Sequence, residues 1–283
     1  MAQDEVTEVT TQSLGSNLGS SIKGALFGFV LILGAFVLLW WNEGRTVEHY
    51  KTLREGLAQV VEAQTERIDP AMEKKLIHVA GKLLVNGTLT DADFGITTQA
   101  VRLKRTVSMY QWVESKSEET NKQLGGSTEK VTTYRYAKEW SEQAHPSKTF
   151  KNPQGHDNPA AFLYAGREYS ATDVQLGTRR LSEGLIQQLS NFARLEVTPA
   201  TKLPAPLQSK AKLHDGGFFI GQDPQNPAIG DLKVSFQTVN PESVSVIAKQ
   251  RGNTFEPFTT YNGPQFSDHV ISSEPSLTCE EWI

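Results

Sequence analysis

The sequence predicts an α+β protein with an N-terminal transmembrane helix, a helical stalk, and then a mostly antiparallel β-domain with a few packed helices. Three patterns predict this architecture. Residues 24–41 contain no charge, the segment after them has apolar residues at helical spacing, and from residue 74 apolar and polar residues alternate at the period of a strand. The chain has 283 residues, which is enough for one such domain with its own core.

The uncharged run has the length of a membrane span. As a helix, its eighteen residues would extend about 27 Å, close to the thickness of the hydrocarbon core of a bilayer. A core helix of a soluble protein would present a polar face at regular intervals, and this run has none. We therefore assign residues 23–41 to a membrane anchor. Its predicted membrane-interface residues are the basic and tryptophan residues at its two ends: Lys23, Trp40, Trp41 and Arg45.

A cleaved signal peptide is the alternative for this run, and three features argue against it. The apolar run is longer than the usual signal core, and the leader before it is acidic. No cleavage site with small residues follows, since Trp40 and Trp41 occupy that position. We expect an uncleaved anchor.

Two glycines inside the anchor are candidate helix-packing residues. Gly24 and Gly28 form a GxxxG pattern, which allows two membrane helices to approach closely. Glycine is also frequent in membrane helices that do not pair, so a tolerated glycine is the alternative. The pattern predicts a homo-oligomer without establishing one.

The segments that flank the anchor have different compositions. Residues 1–22 are acidic and then rich in Ser and Gly, which predicts a disordered tail. Residues 42–68 place Tyr50, Leu53 and Leu57 on one helical face, which predicts an amphipathic stalk. This stalk could pack on its own domain or on another protomer.

Residues 69–260 are predicted to form the mainly antiparallel β-domain. The segment 100–114 and the segment 130–140 both alternate, and the polar insert between them predicts a long hairpin with a flexible tip. A helix is predicted over 179–192 from apolar residues at helical spacing. The other predicted strands are 74–85, 217–221, 230–239, 243–250 and 253–260.

The sequence contains no recognisable catalytic, cofactor or metal motif. Its six histidines lack the spacing of metal-ligand pairs, and the lone Cys279 cannot form an internal disulfide. His156-Asp157 and His214-Asp215 resemble acid/base pairs, but adjacent loop residues are poorly placed for that role. We predict a protein that is not an enzyme, with no cofactor. The net charge of −4 also disfavours binding to nucleic acid.

One predicted strand face combines basic and aromatic residues. Arg102, Lys104, Tyr110 and Trp112 share this face, as residues do on surfaces that bind lipid headgroups or nucleic acid. The same pattern is typical of a solvated strand with aromatic pairs across strands, and we favour that interpretation.

Several long motifs resemble the transmembrane protein 43 family, also called LUMA. They are NEGR at 42–45, VRLKRTVSMYQWVE at 101–114, YRYAKEWSE at 134–142, GDLKVSF at 230–236 and VSVIAKQRGNTFEPF at 244–258. The resemblance implies one large domain between a first span and a C-terminal group of three. It implies a location in the endoplasmic reticulum and nuclear envelope in animals, with the domain in the lumen, and a role in envelope organisation. No catalytic residues come with it.

The sequence departs from this family after Phe258. Its remaining residues contain no apolar run that could cross a bilayer. We expect residues 261–283 to form an irregular, disordered tail. Either the chain is a natural single-span member, or its reading frame is shifted or cut; the loss of any period from Tyr261 onward favours the second explanation.

Together these patterns predict a membrane-anchored structural or scaffolding protein that acts through self-association and through binding to other membrane or envelope proteins. The alternative is a membrane-tethered module that binds a lipid or small ligand. One basic residue lies close before the span and three lie close after it. By the positive-inside rule, this count weakly favours a cytoplasmic domain. Because this margin is small, we follow the resemblance and expect an extracytoplasmic or lumenal domain. The expected location is the inner membrane in a bacterium, or the endoplasmic reticulum and nuclear envelope in a eukaryote.

Overall fold

The computed structural model describes residues 4–12, 14–122, 127–199, 201–259, 265–266 and 269–272. Its internal contacts divide the chain into two compact units. The first unit contains Met1–Asn42, Val107–Ala165 and Phe219–Lys233. The second contains Glu43–Thr106, Gly166–Phe218 and Val234–Ile283.

The elements confirm the predicted α+β class with an N-terminal apolar helix. The helices are α1 (Leu14–Gln59), α2 (Glu183–Gln188) and α3 (Ala205–Gln208), with 3-10 turns at Pro70–Met72 and Ser147–Thr149. In chain order the strands are β1 (Asp4–Gln12), β2 (Val61–Glu62), β3 (Leu76–Val85), β4 (Leu89–Asp91), β5 (Ile96–Thr98), β6 (Arg102–Lys122), β7 (Thr128–Ser141), β8 (Arg167–Ser170), β9 (Val174–Leu176), β10 (Arg179–Arg180), β11 (Ala193–Leu195), β12 (Ala211–His214), β13 (Gly217–Ile220), β14 (Leu232–Val239), β15 (Ser243–Arg251), β16 (Thr254–Glu256), β17 (Phe258–Thr259), β18 (Gln265–Phe266) and β19 (His269–Ser272).

The N-terminal elements differ from the expected boundaries. Residues 4–12, expected in a disordered tail, form β1, and α1 already begins at Leu14. Instead of an anchor and a separate stalk to residue 68, α1 is one continuous helix that ends at Gln59. The strand has a physical reason, because the segment VTEVTT is rich in β-branched residues. It also finds a partner strand distant in sequence, which local patterns do not show.

The first unit contains a three-stranded antiparallel arrangement around β7. The β6–β7 hairpin pairs Met109 with Ser141 at one end and Lys122 with Thr128 at the other. The predicted hairpin is therefore present, but most of its polar insert is strand. The tip at 123–126 lies outside the described residues. On its other edge β7 pairs with β1.

Aromatic side chains stabilise the hairpin at two places within the first unit. Tyr110 and Trp140, which are register partners, have ring centroids 5.3 Å apart. His156 is fully buried and stacks on Tyr136, with centroids 4.0 Å apart. The second contact attaches the loop after β7 to the hairpin, and Asn158 reinforces it through hydrogen bonds of 2.8 Å to the backbone of β6.

The second unit contains a seven-stranded sheet with the order β19-β15-β16-β10-β9-β3-β2, in which β15 also pairs with β3. The pairings are antiparallel apart from β2–β3 and β10–β16. The buried core of this unit comprises Ile77, Val79, Leu83, Val85, Val101, Ala171, Val174, Leu176, Leu181, Leu185, Ile186, Leu189, Val239, Val244, Val246, Ala248 and Phe255. Each long strand of the sheet supplies alternate side chains to it.

The predicted helix over 179–192 is shorter in the structure. Only Glu183–Gln188 is helical, and the hydroxyl of Ser182 caps it by accepting a hydrogen bond from the amide of Leu185. Leu181 and Leu189 are nevertheless buried in the same core. The apolar spacing therefore predicted burial correctly and overestimated helix length, because residues 179–180 pair as a strand.

The C-terminal segment also differs from the expected irregular tail. β19 pairs antiparallel with β15, from Val244 with Ser272 to Ile247 with His269, and β18 pairs with β17. The four-residue strand HVIS contains two adjacent β-branched residues, which suit an added edge strand. Residues 260–264, 267–268 and 273–283 lie outside the described part of the chain.

Candidate membrane anchor and ligand cavity

The first candidate site is the apolar part of α1. Among the described residues, Leu26–Val47 is the helix long and apolar enough to cross a membrane, with a mean hydropathy of 1.8 and no part of it buried. Its large apolar side chains are all more than half exposed up to Trp41: Leu26, Phe27, Phe29, Val30, Leu31, Ile32, Leu33, Phe36, Val37, Leu38, Leu39, Trp40 and Trp41. An apolar surface of this size on a folded chain is typical of contact with lipid.

The predicted interface residues lie at the ends of this apolar surface. Trp40 is 81% exposed and Trp41 is 62% exposed, and the exposed Arg45 follows one helical turn later. Lys23 is helical, but its side chain lies outside the described part of α1. From Lys23 to Trp41 the helix rises about 27 Å, so the two ends match the two faces of a hydrocarbon core. Their contact with headgroups stays a prediction.

The helix-packing glycines lie on open helix surface. A Cβ atom added at Gly28 would meet no atom within 4 Å, whereas the surroundings of Gly24 lie outside the described side chains. Gly34, on a different face of α1, is equally open. Space alone therefore does not distinguish a packing glycine from a tolerated one, and the predicted role of Gly24 and Gly28 remains untested.

Two buried histidines make structural contacts. Buried His78 donates from Nδ1 to Oε1 of Glu62 at 2.7 Å, which joins β3 to β2. His156 donates from Nδ1 to the carbonyl of Asn152 at 2.8 Å. Within the described residues, no three His, Cys, Asp or Glu side chains are grouped to hold a metal ion.

The basic and aromatic strand face is largely structural. Arg102 is buried and donates to Oε2 of Glu168 at 2.6 Å, as well as to the carbonyls of Gln187 and Leu189. Lys104 lies 3.6 Å from the same glutamate. Tyr110 forms the cross-strand aromatic pair that the favoured interpretation predicted. The burial of Arg102 contradicts a solvated face at that position.

A second candidate site, which the sequence did not indicate, is a cavity of about 440 Å³ in the second unit. It is lined by Ser170, Ala171, Thr172, Arg180, Leu181, Glu183, Ile186 and Thr254. Ala171, Leu181 and Ile186 are buried core residues, whereas Arg180 and Glu183 are exposed and carry opposite charges. These residues come from separate segments of the chain, so no local motif could have revealed them.

A smaller cavity of about 300 Å³ lies beside Arg179. This arginine is fully buried and donates to Oε1 of Gln250 at 2.9 Å and to the carbonyls of Gln64 and Arg67 at 2.7 and 3.1 Å. Burial lowers the pKa of Arg179. Since its donors are taken by backbone and amide oxygens, its observed role is to fix the segment that follows α1 and β2.

Comparisons with known proteins agree with the anchor and the β-domain. The family model of transmembrane protein 43 matches residues 109–275. Human transmembrane protein 43 is 35% identical over 256 residues, which cover 86% of this chain and 63% of the human protein's own length.

 Rat transmembrane protein 43 is 35% identical over 257 residues, which cover 86% of this chain and 63% of the rat protein's own length. The transmembrane protein 43 homolog of Drosophila melanogaster is 34% identical over 256 residues, which cover 89% of this chain and 67% of the homolog's own length.

The chain belongs to the transmembrane protein 43 family. It spans about two thirds of the length of the curated relatives that it matches. No solved structure matches it. The family match continues to residue 275, so the prediction that family sequence stops near residue 261 is wrong. The sequence showed no sign of this match, because the segment is polar and a short edge strand such as β19 has too few residues to show a clear alternation of apolar and polar positions.

Proposed function

We propose that this transmembrane protein 43 family member is a membrane-anchored scaffold that organises a membrane through self-association and partner binding. The observation that carries the proposal is the apolar helix Leu26–Val47, no part of which is buried. Each Leu, Ile, Phe or Val near the centre of a span favours insertion by about 0.3 to 0.6 kcal/mol. The charged residues of this helix, Glu43 and Arg45, lie near its end, where they can reach the interface.

The proposed location is the one that the resemblance to the transmembrane protein 43 family implies. We place the protein in the endoplasmic reticulum and nuclear envelope of a eukaryote, or in the inner membrane of a bacterium. The β-domain is proposed to lie in the lumen or outside the cytoplasm. The names of the matched relatives support a membrane protein, and the compartment and the orientation are part of the proposal.

Self-association can be tested through the glycines of the anchor. We expect Gly24→Leu combined with Gly28→Leu to weaken dimers of the full chain by about 1 to 2 kcal/mol, because added bulk separates the helix backbones. Gly34→Leu is the control, since it adds a leucine on another face of α1 at a position as open as that of Gly28. The measurement is crosslinking yield against protein-to-lipid ratio in vesicles. Equal yields for the double variant and the control would contradict a role for Gly24 and Gly28.

Partner binding requires a separate experiment. The full chain should be isolated from native membranes in mild detergent, and the bound proteins identified by mass spectrometry. The scaffold proposal predicts a reproducible set of membrane or envelope proteins at stoichiometric levels. Recovery of the chain alone, without self-association, would contradict the proposal.

A membrane-tethered ligand-binding module is the second candidate function. The cavity of about 440 Å³ favours it, because a lining of buried apolar residues and exposed charged residues suits an amphiphilic lipid or small ligand. Thr172→Trp would place bulk at the cavity rim, and Leu84→Trp would do so at an exposed strand position outside the cavity. We expect lipid that co-purifies with the protein to be lost only in the first variant. Absence of co-purifying lipid from the unmodified protein would contradict this function.

A further inference from the structure

The pairing of β1 with β7 and the crossing of a bilayer by α1 cannot both occur in the membrane-inserted protein. β1 pairs with β7 over nine residues, from Asp4 with Tyr136 to Gln12 with Thr128. Between these strands the chain passes through α1, whose Leu26–Val47 segment is the membrane-spanning candidate. A single crossing places residues 4–12 on one side of the bilayer and the chain from residue 60 onward on the other.

The chain does not return before it reaches β7. Within the described residues 60–122 and 127–141 there is no second candidate span, and the four residues between these ranges are too few to form one. In the inserted protein β1 therefore cannot reach β7. The β1 strand of a second copy inserted in the same orientation cannot reach it either.

Separation from β1 leaves one edge of β7 open. The other edge remains paired with β6 along the whole hairpin. An edge of nine residues that has lost its partner strand is about 30 Å long, and its backbone N–H and C=O groups can pair with another strand. Such edges bind extended segments by strand addition, in which the backbone supplies affinity and the side chains supply specificity.

The contacts of β1 show which chemistry fits this edge. Oε2 of Glu5 lies 3.3 Å from Nε of Arg135, and Oε1 of Glu8 lies 2.5 Å from Nζ of Lys151. The hydrogen bond that Lys151 donates to Glu8 raises the pKa of Lys151. Two carboxylates three residues apart on an extended segment thus meet two cations at the edge.

We propose that, in the membrane-inserted protein, the open edge of β7 binds an extended acidic segment of a partner protein on the same side of the bilayer. The inference rests on the membrane crossing in the proposed function. It goes beyond that function by naming the surface and the chemistry of the partner. β1 defines the spacing of the acidic residues that the edge accepts.

The test uses the full chain in nanodiscs and a labelled peptide with the sequence of Asp4–Gln12 as the probe. We expect saturable binding by fluorescence anisotropy, weakened at least ten-fold when Arg135→Glu and Lys151→Glu are combined. A peptide with both glutamates replaced by lysine should recover binding to this double variant. Lys148→Glu, an exposed lysine outside the two ion pairs, is the matched control and should bind like the unmodified chain. Absence of binding, or binding insensitive to all these charges, would overturn the proposal.

Crosslinking separates failure of this proposal from failure of the membrane crossing. In a Cys279→Ser background, Val6→Cys and Tyr134→Cys occupy register partners of β1 and β7. We expect no crosslink within one chain in nanodiscs, whereas a peptide carrying the cysteine at the position of Val6 should crosslink to Tyr134→Cys. A crosslink within one chain would show that α1 does not separate the two strands and would overturn the crossing. A crosslink between Tyr134→Cys residues of two copies would identify a second copy as the occupant. That result would overturn the assignment of an acidic partner and leave the membrane crossing intact.

Discussion

At the residue scale, a buried ion pair shows that the alternation of a strand does not predict the partner of a buried charge. Arg105 lies on the buried face of β6 with Leu103 and Val107, although a charged residue normally occupies an exposed position. Its guanidinium donates to both oxygens of the fully buried Asp91 at 2.8 and 2.9 Å, and to Asp93 at 2.8 Å. The alternation of β6 was predictable, but the partner that neutralises this position lies on another strand and was not.

We expect Asp91→Ala to destabilise the protein by about 3 to 5 kcal/mol, because it leaves a buried guanidinium with one of its two carboxylate partners missing. Urea unfolding of the detergent-solubilised chain, followed by tryptophan fluorescence, measures the change. Glu118→Ala, which removes a partner of the exposed Lys116, is the control and should leave the midpoint unchanged. Equal midpoints for both variants would show that Asp91 does not stabilise Arg105.

At the element scale, a close approach fixes the turn between β9 and β10. Gly177 has a φ of +61°, and a Cβ atom there would lie 2.0 Å from the carbonyl oxygen of Thr65. The turn therefore packs directly against the backbone of the segment that follows β2. The individual strands could be predicted from their alternation, but this contact could not, because it joins residues more than a hundred positions apart.

Gly177→Ala and Gly252→Ala form a matched pair for testing this contact. Gly252 has a similar φ of +56°, but no atom lies within 4 Å of the position of an added Cβ. We expect Gly252→Ala to cost about 1 to 2 kcal/mol through backbone strain alone. Gly177→Ala should cost a further 1 to 3 kcal/mol, roughly, from overpacking. Thermal unfolding of both variants gives the comparison, and equal losses would contradict the close approach.

At the scale of the whole molecule, composition and period predicted the α+β class and the apolar helix. These features are local, since an uncharged run and an alternating run each carry their own signal. The pairing of β1 with β7, the cavity of the second unit and the edge strand β19 arise from contacts between distant segments. A single sequence does not encode such contacts in any local pattern, which explains why they were missed.

The exposed apolar helix predicts how the whole protein partitions. We expect alkaline carbonate extraction to leave the full chain in the membrane pellet, because Leu26–Val47 is held by the hydrocarbon core and not by charge. Immunoblotting of pellet and supernatant measures this. A variant with Leu31→Lys and Val37→Glu should be released, since charges near the centre of a span disfavour insertion by about 2.5 to 3.5 kcal/mol each. Release of the unmodified chain would show that α1 is not an integral anchor.

The most direct test of the central claim, that α1 crosses the membrane with the β-domain on the lumenal side, is glycosylation mapping in microsomes. Asn86-Gly87-Thr88 is a natural acceptor with an exposed asparagine, and Val9→Asn creates a second acceptor in β1, before the helix. The account predicts modification at Asn86 and none at the introduced site, with Thr88→Ala as the control that abolishes the signal. Modification of both sites, or of neither, would contradict the crossing, and modification of the introduced site alone would reverse the orientation.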